Sequence, residues 1–274
     1  MYKAILFDMD GTLLGMDQQV FIKVYTTELM KVMLSVGSDV PTLTKGFYAG
    51  VHAMRHNDGS RINADAYWQE FGKVVGGDTE RFKSETDAFY NGTFHKVRDI
   101  VSVNPAARRA VDAAKAKGMR VVVATSPLFP HIAQVTRLNW AGFEESEFEF
   151  VTHYESEIFC KPSPAYFTAV CQRLGLEPSE CLMVGNDVSD DMKGAHAAGL
   201  GCFLVTDWLI ESPDDVWQGD RGTMAELAEI IAHNIIIKIF LIIYSLFLKC
   251  CAKIWLYVHI CNVFVNLISL KENT

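Results

Sequence analysis

An apolar run near the N-terminus ends abruptly on two acidic residues, and this junction limits the folds that the chain can adopt. Ala4–Phe7 is typical of a short buried strand, and the segment DMDGT follows it at positions 8–12. Side chains two positions apart in an extended segment point the same way, so Asp8 and Asp10 can face one small ligand together. Because open α/β sheets bind ligands at the carboxyl ends of their strands, the junction predicts the active edge of such a sheet.

Two carboxylates at one site suit a reaction that needs both a nucleophile and a proton carrier. One acid can attack while the other transfers protons, provided that their environments differ. A DxDGT segment by itself also fits a solvated turn or part of a calcium loop. Its position directly after a buried strand favours the catalytic interpretation for Asp8 and Asp10.

Length, charge and cysteine content narrow the class of protein. A chain of 274 residues can form one large domain or two small ones. The net charge of −8 and the lack of a basic cluster interleaved with aromatic residues argue against a nucleic-acid partner. The seven cysteines form no CxxC pair and no zinc spacing, and no signal peptide is recognised. We therefore expect reduced thiols and a cytoplasmic location.

Beyond residue 97, apolar runs alternate with helical segments, which predicts a doubly wound parallel α/β sheet. The predicted strands are 119–124, a weaker one at 148–151, 181–184 and 202–205. The predicted helices are 105–117, 130–141, 164–174 and 190–198, and a capping box at 223–226 begins a last one.

The segment 17–97 interrupts this alternation and is predicted to be entirely helical. Its four predicted helices cover 20–33, 41–56, 64–75 and 80–94. Four helices are too large for a connecting turn, so we expect them to form a second, smaller domain. The predicted organisation is an α/β core at 1–16 and 98–231, a helical insertion at 17–97, and a tail at 232–274.

The predicted tail is strongly apolar. Only Lys238, Lys249 and Lys253 interrupt it between residues 235 and 270, and the stretch 254–270 is uncharged and at the short end of what spans a bilayer. A membrane anchor or an interfacial hairpin is one interpretation. The other, which we favour, is a segment outside the evolved domain, because it has neither helix caps nor an amphipathic period that matches a core. We expect membrane association only through this tail.

Three further groups of polar residues lie after predicted strands or in loops, and the first two contain Thr125 and Lys161. Thr125 and Ser126 follow a predicted strand, where hydroxyl and backbone N–H groups can hold a phosphoryl oxygen. Lys161 precedes Pro162, and its compact charge suits a phosphate next to a carboxylate. Taken singly, each could be a helix cap or a surface charge, because polar loop residues are ordinary.

The last polar group is an acidic cluster after the strand 181–184. It contains Asp187, Asp190 and Asp191, and carboxylates of this kind can hold Mg²⁺ together with waters and phosphate oxygens. Helix capping is the alternative for Asp187 and Asp190. The order of all four polar groups along one predicted sheet favours a shared active site.

In that order, the four groups resemble the motifs of the haloacid dehalogenase-like hydrolase superfamily. The matching features are DxDGT, a strand ending in Thr125, Lys161 followed by Pro162, and an acidic GD-type cluster before a helix that ends in Ala198-Gly199. The resemblance covers about residues 1–231, and within the superfamily the chain is similar to the phosphatase branch with a helical cap. It implies a Rossmann-like core, a cap at 17–97, Mg²⁺ as cofactor and a small phosphorylated metabolite as substrate.

The resemblance also implies catalytic roles. Asp8 would be the nucleophile that forms an aspartyl-phosphate, and Asp10 would protonate the leaving oxygen and then activate water. Thr125 would bind the phosphoryl group, and Lys161 would stabilise the nucleophile and the transition state. Phosphate-binding positions would be completed by Gly11, Thr12 and Ser126, where relatives often have Asn in place of the serine.

For the metal, the resemblance implies Asp8, the backbone carbonyl of Asp10 and an acid of the last cluster. Many relatives have Asp directly after the glycine, where this chain has Asn186. Asp187 is favoured as the ligand and Asp191 as a supporting acid, but the choice between them stays open.

Asp10 favours phosphoryl transfer over dehalogenation, because displacing a halide needs no proton donor and the dehalogenase branch lacks this second acid. A phosphomutase or phosphotransferase would use the same residues with a different acceptor. A membrane-associated phosphate-binding protein without turnover is the alternative outside enzymes, although a pure binder has no need of both Asp8 and Asp10.

Substrate specificity is expected to depend on the helical insertion, which would close over the site. Its polar candidates are Asp17, Gln18, His52, Arg55, His56, Asn57, Asp58 and Arg61. Arg55 and Asn57 are the predicted substrate contacts, although a surface loop would be equally polar without binding anything. The predicted internal core of the insertion consists of Tyr67, Trp68, Phe71, Phe89, Tyr90 and Phe94.

Overall fold

A computed structural model of the chain describes residues 2–76 and 79–233. The strands are β1 (Ala4–Phe7), β2 (Leu14–Met16), β3 (Val101–Val103), β4 (Arg120–Val123), β5 (Cys181–Gly185), β6 (Gly201–Val205) and β7 (Arg221–Gly222). Five of them form one parallel sheet in the order β4-β1-β5-β6-β7. The predicted α/β architecture with a parallel central sheet is confirmed.

The helices follow the predicted segments closely. They are α1 (Gln18–Leu34), α2 (Val40–Arg55), α3 (Asn63–Val75), α4 (Thr79–Asn91), α5 (Pro105–Ala116), α6 (His131–Trp140), α7 (Pro164–Leu174), α8 (Gly194–Ala197) and α9 (Met224–Ala232). Local signals explain their limits: Asn104 caps α5 by accepting from the Ala106 amide, and Gly175 ends α7 in the left-handed conformation. The capping box at Thr223 and Glu226 forms as predicted.

β1 lies at the centre of the sheet and sets the position of its active edge. Its four side chains are fully buried, and Phe7 pairs with Val123 of β4 and with Val184 of β5. The chain crosses from one side of β1 to the other between β4 and β5, which makes the end of β1 a topological switch point. The residues that follow these three strands therefore meet at one edge.

Two predictions for the α/β part differ from the structure. The segment 148–151 lies along the outer edge of β4, and the Glu149 amide donates to the Val121 carbonyl, but its pairing is limited to one bridge, between Val151 and Val123, and it does not form a full strand. The helix predicted over 190–198 begins instead as a π-helical segment, Val188–Lys193, and continues as α8. Asp187 starts this segment two residues earlier than predicted by accepting hydrogen bonds from the Ser189 and Asp190 amides.

The four helices α1–α4 lie between β2 and β3, which pair with each other in antiparallel orientation. The sequence analysis missed both strands because each has only three residues. The chain thus leaves the α/β part at β2 and returns to it at β3, next to the point of departure. Apolar residues at every fourth position of α1, including Tyr25 and Leu29, form its buried face.

Most of the predicted tail lies outside the described residues, which end at His233. Within 2–76 and 79–233, no helix combines the length and apolar character that a bilayer crossing requires. The residues up to Glu229 form one compact unit that contains the sheet and α1–α8.

Candidate active site

The first acid after β1 is held by a buried lysine. The Lys161 ammonium donates to Asp8 Oδ1 at 2.8 Å and to Asp191 Oδ1 at 2.6 Å. Lys161 is 1% exposed, and Asp191 is equally hidden from solvent. The structure thus brings together the predicted residues from the end of β1, from the loop before α7 and from the segment after β5.

The charges in this cluster do not balance. Burial raises the pKa of Asp191 and the Asp8 charge raises it further, while Lys161 opposes both effects. Burial alone would lower the pKa of Lys161, but the charges of Asp191 and Asp8 outweigh burial, so that this pKa is raised. One ammonium between two carboxylates keeps its proton and leaves one negative charge uncompensated.

Gly185 gives Asp191 the space to reach this position. A Cβ atom at residue 185 would lie within 3.0 Å of the Asp191 carboxylate, which side chains essentially never tolerate. Asp191 uses its second oxygen, Oδ2, to accept the Asp187 amide at 3.0 Å. Both oxygens of Asp191 are therefore engaged by protein groups.

The second acid after β1 has a different partner, which the sequence analysis missed. The Arg137 guanidinium of α6 donates to Asp10 Oδ2, and it also donates to Gln134 Oε1 one turn earlier. Arg137 is fully buried and lies 4.1 Å from the centre of the Phe129 ring. A charged side chain on the predicted helix 130–141 gave no signal of its own, because surface arginines on helices are common.

The two carboxylate oxygens of Asp10 lie in different environments. Its Oδ1 is buried and has no hydrogen-bond partner among the described residues. Burial raises the pKa of Asp10, Arg137 opposes this effect, and the Asp8 charge adds to it. The outcome is a raised pKa, and Oδ1 is the oxygen that is free to exchange a proton, because Arg137 occupies Oδ2.

The glycine and threonine of the DMDGT segment fix the turn that follows the acids. Gly11 has φ +82°, and a Cβ there would collide with the Asn186 side chain. Thr12 is buried and donates to Asn186 Oδ1 at 3.2 Å, while Asn186 Nδ2 donates to the Trp208 carbonyl at 2.6 Å. Asn186 therefore ties the end of β1 to the end of β5.

Thr125 lies at the end of β4, where two further residues hold its backbone. Its carbonyl oxygen accepts from Thr152 Oγ1 at 2.8 Å and from the Tyr166 hydroxyl at 2.9 Å. Neither partner was predicted, because each lies far from Thr125 in sequence. The next residue, Ser126, accepts through its carbonyl from Gln134 at 3.3 Å, which links this loop to the Arg137 helix.

The acids after β5 have distinct partners. Asp187 uses Oδ1 for helix capping at 2.8 Å and 2.9 Å, and burial raises its pKa, with the Asp190 and Asp8 charges adding to the effect. Asp190 binds Arg55 of α2 through both oxygens, at 2.7 Å and 3.1 Å. Arg55 thereby joins α2 to the acidic cluster.

A divalent cation fits this set of donors. Within the described part of the chain, no three His, Cys, Asp or Glu side chains are grouped so as to hold a metal by themselves. Mg²⁺ needs only one or two carboxylates, since waters and phosphate oxygens complete its shell. The Asp8 charge acts on the pKa values of Asp10, Asp187 and Asp191, which indicates an excess of negative charge that a cation would compensate.

A pocket of about 260 Å³ adjoins Asp10 and Ser126. Of the predicted polar candidates of the insertion, Gln18 and Arg55 line it. Asn57 lies instead in a separate surface depression with His52, His56, Asp58 and Arg61. Its side chain amide donates to the Arg61 carbonyl and to Asn63, both at 2.8 Å.

The aromatic residues of the insertion divide into two groups. Phe71, Phe89 and Phe94 are fully packed, as predicted for an internal core. Tyr67 and Tyr90, in contrast, pack internally and also line the pocket, and they are joined there by Trp68. Tyr67 and Tyr90 are thus buried as predicted, and the position of these two rings and of Trp68 at the pocket is an addition to that prediction.

Comparison with known proteins gives one family. A family model of haloacid dehalogenase-like hydrolases matches residues 2–199. A glyceraldehyde 3-phosphate phosphatase of Methanothermobacter thermautotrophicus is 29% identical over 216 residues, which cover 78% of this chain and 90% of the relative.

Solved structures of other proteins share this fold. CbbY of Rhodobacter sphaeroides, in complex with phosphate, superposes with a TM-score of 0.56 at 18% identity and covers 83% of this chain and 96% of its own. A 2-haloacid dehalogenase of Pseudomonas syringae superposes with a TM-score of 0.55 at 20% identity, covering 85% and 99%. At these identities the likeness concerns the fold alone.

Proposed function

Since this chain belongs to the haloacid dehalogenase-like hydrolase family, we propose that it is a Mg²⁺-dependent phosphatase that acts on a small phosphate monoester through an aspartyl-phosphate. The observation that carries the proposal is the pair of differently held acids after β1. Asp8 is bound by Lys161, whereas Asp10 is bound by Arg137 and has a raised pKa. A nucleophile and a proton donor require this difference.

In the first step, Asp8 attacks the phosphorus atom. Lys161 holds Oδ1 of Asp8, which leaves Oδ2 as the attacking oxygen. The bond from phosphorus to the ester oxygen breaks as the bond to Asp8 forms, and the departing oxygen takes the proton from Asp10 Oδ1. Lys161 neutralises charge next to the transferred group, and Thr125 contacts its oxygens.

In the second step, water releases the phosphate. Asp10, now ionised, accepts a proton from the attacking water, and the bond between Asp8 and phosphorus breaks. Asp8 returns to its carboxylate form and Asp10 to its acid form, so the cycle closes without any further reactant. Arg137 keeps Asp10 in place during both proton transfers.

Asp8, Asp187 and the Asp10 carbonyl are the groups that would hold Mg²⁺, and the ion would offset the charge of the phosphoryl oxygens. Asp187 is proposed as the direct ligand because both oxygens of Asp191 are occupied by Lys161 and by a backbone amide. Asp191 would then act as a supporting acid that positions Lys161.

We further propose that residues 17–97 act as a cap on the α/β core. Their helices begin after β2 and end before β3, which places both connections at one hinge-like pair of strands. The pocket next to Asp10 has walls from α1–α4 and from the loop after β4. Closure of such a unit would exclude water from the first step.

Asp10 also favours a phosphatase over a dehalogenase. The fold is shared with members of both kinds, so it cannot discriminate between them. A phosphate ester of an alcohol needs a proton on its leaving oxygen, and a halide does not. A partly buried acid with a raised pKa, aligned by a buried arginine, serves the first reaction and is superfluous in the second.

Phosphate release tests the proposal. The full chain and its Asp8→Asn variant are assayed on a panel of phosphate monoesters, with Mg²⁺ and with a chelator. We expect turnover that requires Mg²⁺ and that the variant lacks, together with ³²P label retained on the wild-type protein after acid quenching. A folded protein that releases no phosphate from any ester would refute the proposal.

A further inference from the structure

The pocket next to Asp10 has a chemical character that restricts the leaving group. Its volume is about 260 Å³, and Phe21, Tyr25 and Leu29 of α1 form one wall of it. Leu128 and Phe129 contribute from the loop after β4. An apolar cavity of about 150 Å³ accommodates benzene, so this pocket has room for one aromatic ring with a short substituent.

The charged groups of the pocket are already paired. Arg55 is the one cation among the described lining residues, and Asp190 binds it through both oxygens. The other acid of the lining, Asp10, is bound by Arg137. A second phosphate or a carboxylate on the substrate would therefore enter the pocket without a free counter-charge, which is costly in an apolar environment.

Three hydroxyl groups of the pocket differ in whether they are already paired. Tyr25 and Tyr90 satisfy each other through a hydrogen bond of 2.7 Å between their hydroxyls. In the part of the chain that the structure describes, Thr86 Oγ1 is a buried pocket atom without a partner. A ligand with one polar atom could use Thr86, whereas each further buried hydroxyl of a polyol would need a partner of its own.

From these observations we propose that the substrate is the phosphate monoester of an uncharged, mostly apolar alcohol about the size of a substituted benzyl alcohol. This proposal rests on the phosphatase function proposed above. The apolar lining, the paired charges and the small volume all point to the same class.

The test compares esters that differ in the leaving group alone. The full chain is assayed with Mg²⁺ on benzyl phosphate and 2-phenylethyl phosphate, and on glyceraldehyde 3-phosphate and 2-phosphoglycolate as polar or charged counterparts. We expect kcat/KM to be at least tenfold higher for the two aromatic esters, with most of the difference in KM. A preference for the polar esters overturns this inference and leaves the phosphatase proposal intact, whereas no hydrolysis of any ester overturns both.

Variants then assign the preference to the pocket. Leu128→Asn places an amide in the wall, and we expect it to lower kcat/KM for benzyl phosphate at least fivefold and that for 2-phosphoglycolate less than twofold. Ile22→Asn makes the same test at a lining position that is 46% exposed and therefore tolerant of a polar residue. Leu34→Asn, at an exposed leucine outside the pocket lining, is the matched control. Equal losses on both esters in both lining variants would contradict the inference.

Discussion

Two aspartates of identical chemistry, two positions apart, receive different properties from the residues that surround them. Asp8 contacts Lys161, which also forms an ion pair with Asp191. Asp10 contacts Arg137 and keeps one buried oxygen without a partner. At the scale of the residue, the proposed division into nucleophile and acid is therefore a property of the neighbours.

Replacing the arginine that holds Asp10 should impair leaving-group protonation. We predict that Arg137→Met lowers kcat by about 100-fold on alkyl phosphates, the range that general acid catalysis commonly supplies. On 4-nitrophenyl phosphate the loss should be below tenfold, because 4-nitrophenolate leaves without a proton. Steady-state kinetics on both esters measure this difference.

The comparison of the two esters separates positioning from a general loss of structure. Arg137→Lys keeps a charge near Asp10 and should recover part of the alkyl phosphate activity. Removing one partner of a buried ion pair can cost several kcal/mol of stability, so the assays are run well below the melting temperature of each variant. An equal fall on both esters would show that Arg137 has a structural role only.

Gly185 gives a second prediction at the residue scale. Gly185→Ala should displace Asp191 from Lys161, since the added Cβ has no room beside the carboxylate. We expect a loss of about 1–3 kcal/mol in the free energy of unfolding, typical of overpacking, and a fall in kcat. Gly92→Ala is the comparison: its Cβ would also make a tight contact, with a backbone oxygen at 3.1 Å, but Gly92 is not part of the candidate site, so we expect no comparable fall in kcat. Wild-type melting and kinetics in Gly185→Ala would contradict the prediction.

Elements of the α/β part are joined by ion pairs on the surface. Arg108 of α5 binds Glu147 of the short 3₁₀ segment Glu145–Glu147, and Lys115 lies 3.4 Å from the same carboxylate. The Arg108 guanidinium also donates to the Gly142 carbonyl after α6. These contacts attach the segment that follows α6 to α5.

This element-scale contact predicts a dependence of stability on pH. Hydrogen bonding from Arg108 lowers the pKa of Glu147 from 4.5 to about 2. Between these values the unfolded chain binds a proton that the folded chain does not, so the contribution is full above pH 4.5 and is lost as the pH falls toward 2.

Thermal melts of the wild type and of Glu147→Gln at pH 7, 5, 4 and 3 measure the effect. We expect the stability difference between them to shrink over this range, from at most about 1 kcal/mol, because the pair is partly exposed to solvent. A difference that is constant from pH 7 to pH 3 would contradict the assigned pKa.

At the scale of the whole molecule, one contact connects the helical insertion to the acidic cluster of the sheet. Arg55 at the end of α2 reaches Asp190 in the π-helical segment after β5, 135 positions away along the chain. The hydrogen bond from the Asn63 amide to the Glu157 carbonyl at 2.8 Å is a second link between the two parts. Such links decide how firmly the proposed cap is held closed.

Breaking the Arg55–Asp190 pair should loosen the proposed cap. Arg55→Lys keeps the charge but loses the two-point contact, and we expect amide exchange in α2 to become about fivefold faster, equivalent to about 1 kcal/mol. Asp190→Asn should have a similar effect. Hydrogen–deuterium exchange followed by peptide mass spectrometry measures it, with Lys45→Met on the exposed side of α2 as control.

Kinetics distinguish a latch from a substrate contact. If Arg55 acts only as a latch, Arg55→Lys and Asp190→Asn should change KM and kcat in parallel for all esters. Unchanged exchange together with a KM that rises for some esters alone would instead make Arg55 a specificity residue, as the sequence analysis proposed.

The sequence by itself determined the elements and the order of the polar groups along the chain. The buried strand β1, the Asn104 cap, the left-handed glycine after α7 and the capping box of α9 depend on local interactions, which a chain segment carries wherever it is placed. The parallel sheet followed from the alternation of strands and helices. The shorter segments 148–151 and β2 were mistaken or missed because their pairing depends on partners far away in the chain.

Only the tertiary structure decided which side chains meet. Arg137, Thr152 and Tyr166 carry no local signal, since their roles depend on distances across the sheet and not on spacing along the chain. The same holds for the occupied oxygens of Asp191, which favour Asp187 as the proposed metal ligand. A sequence pattern records what each segment prefers, whereas charge, burial and pocket shape arise when segments pack, and the proposed substrate preference depends on that packing.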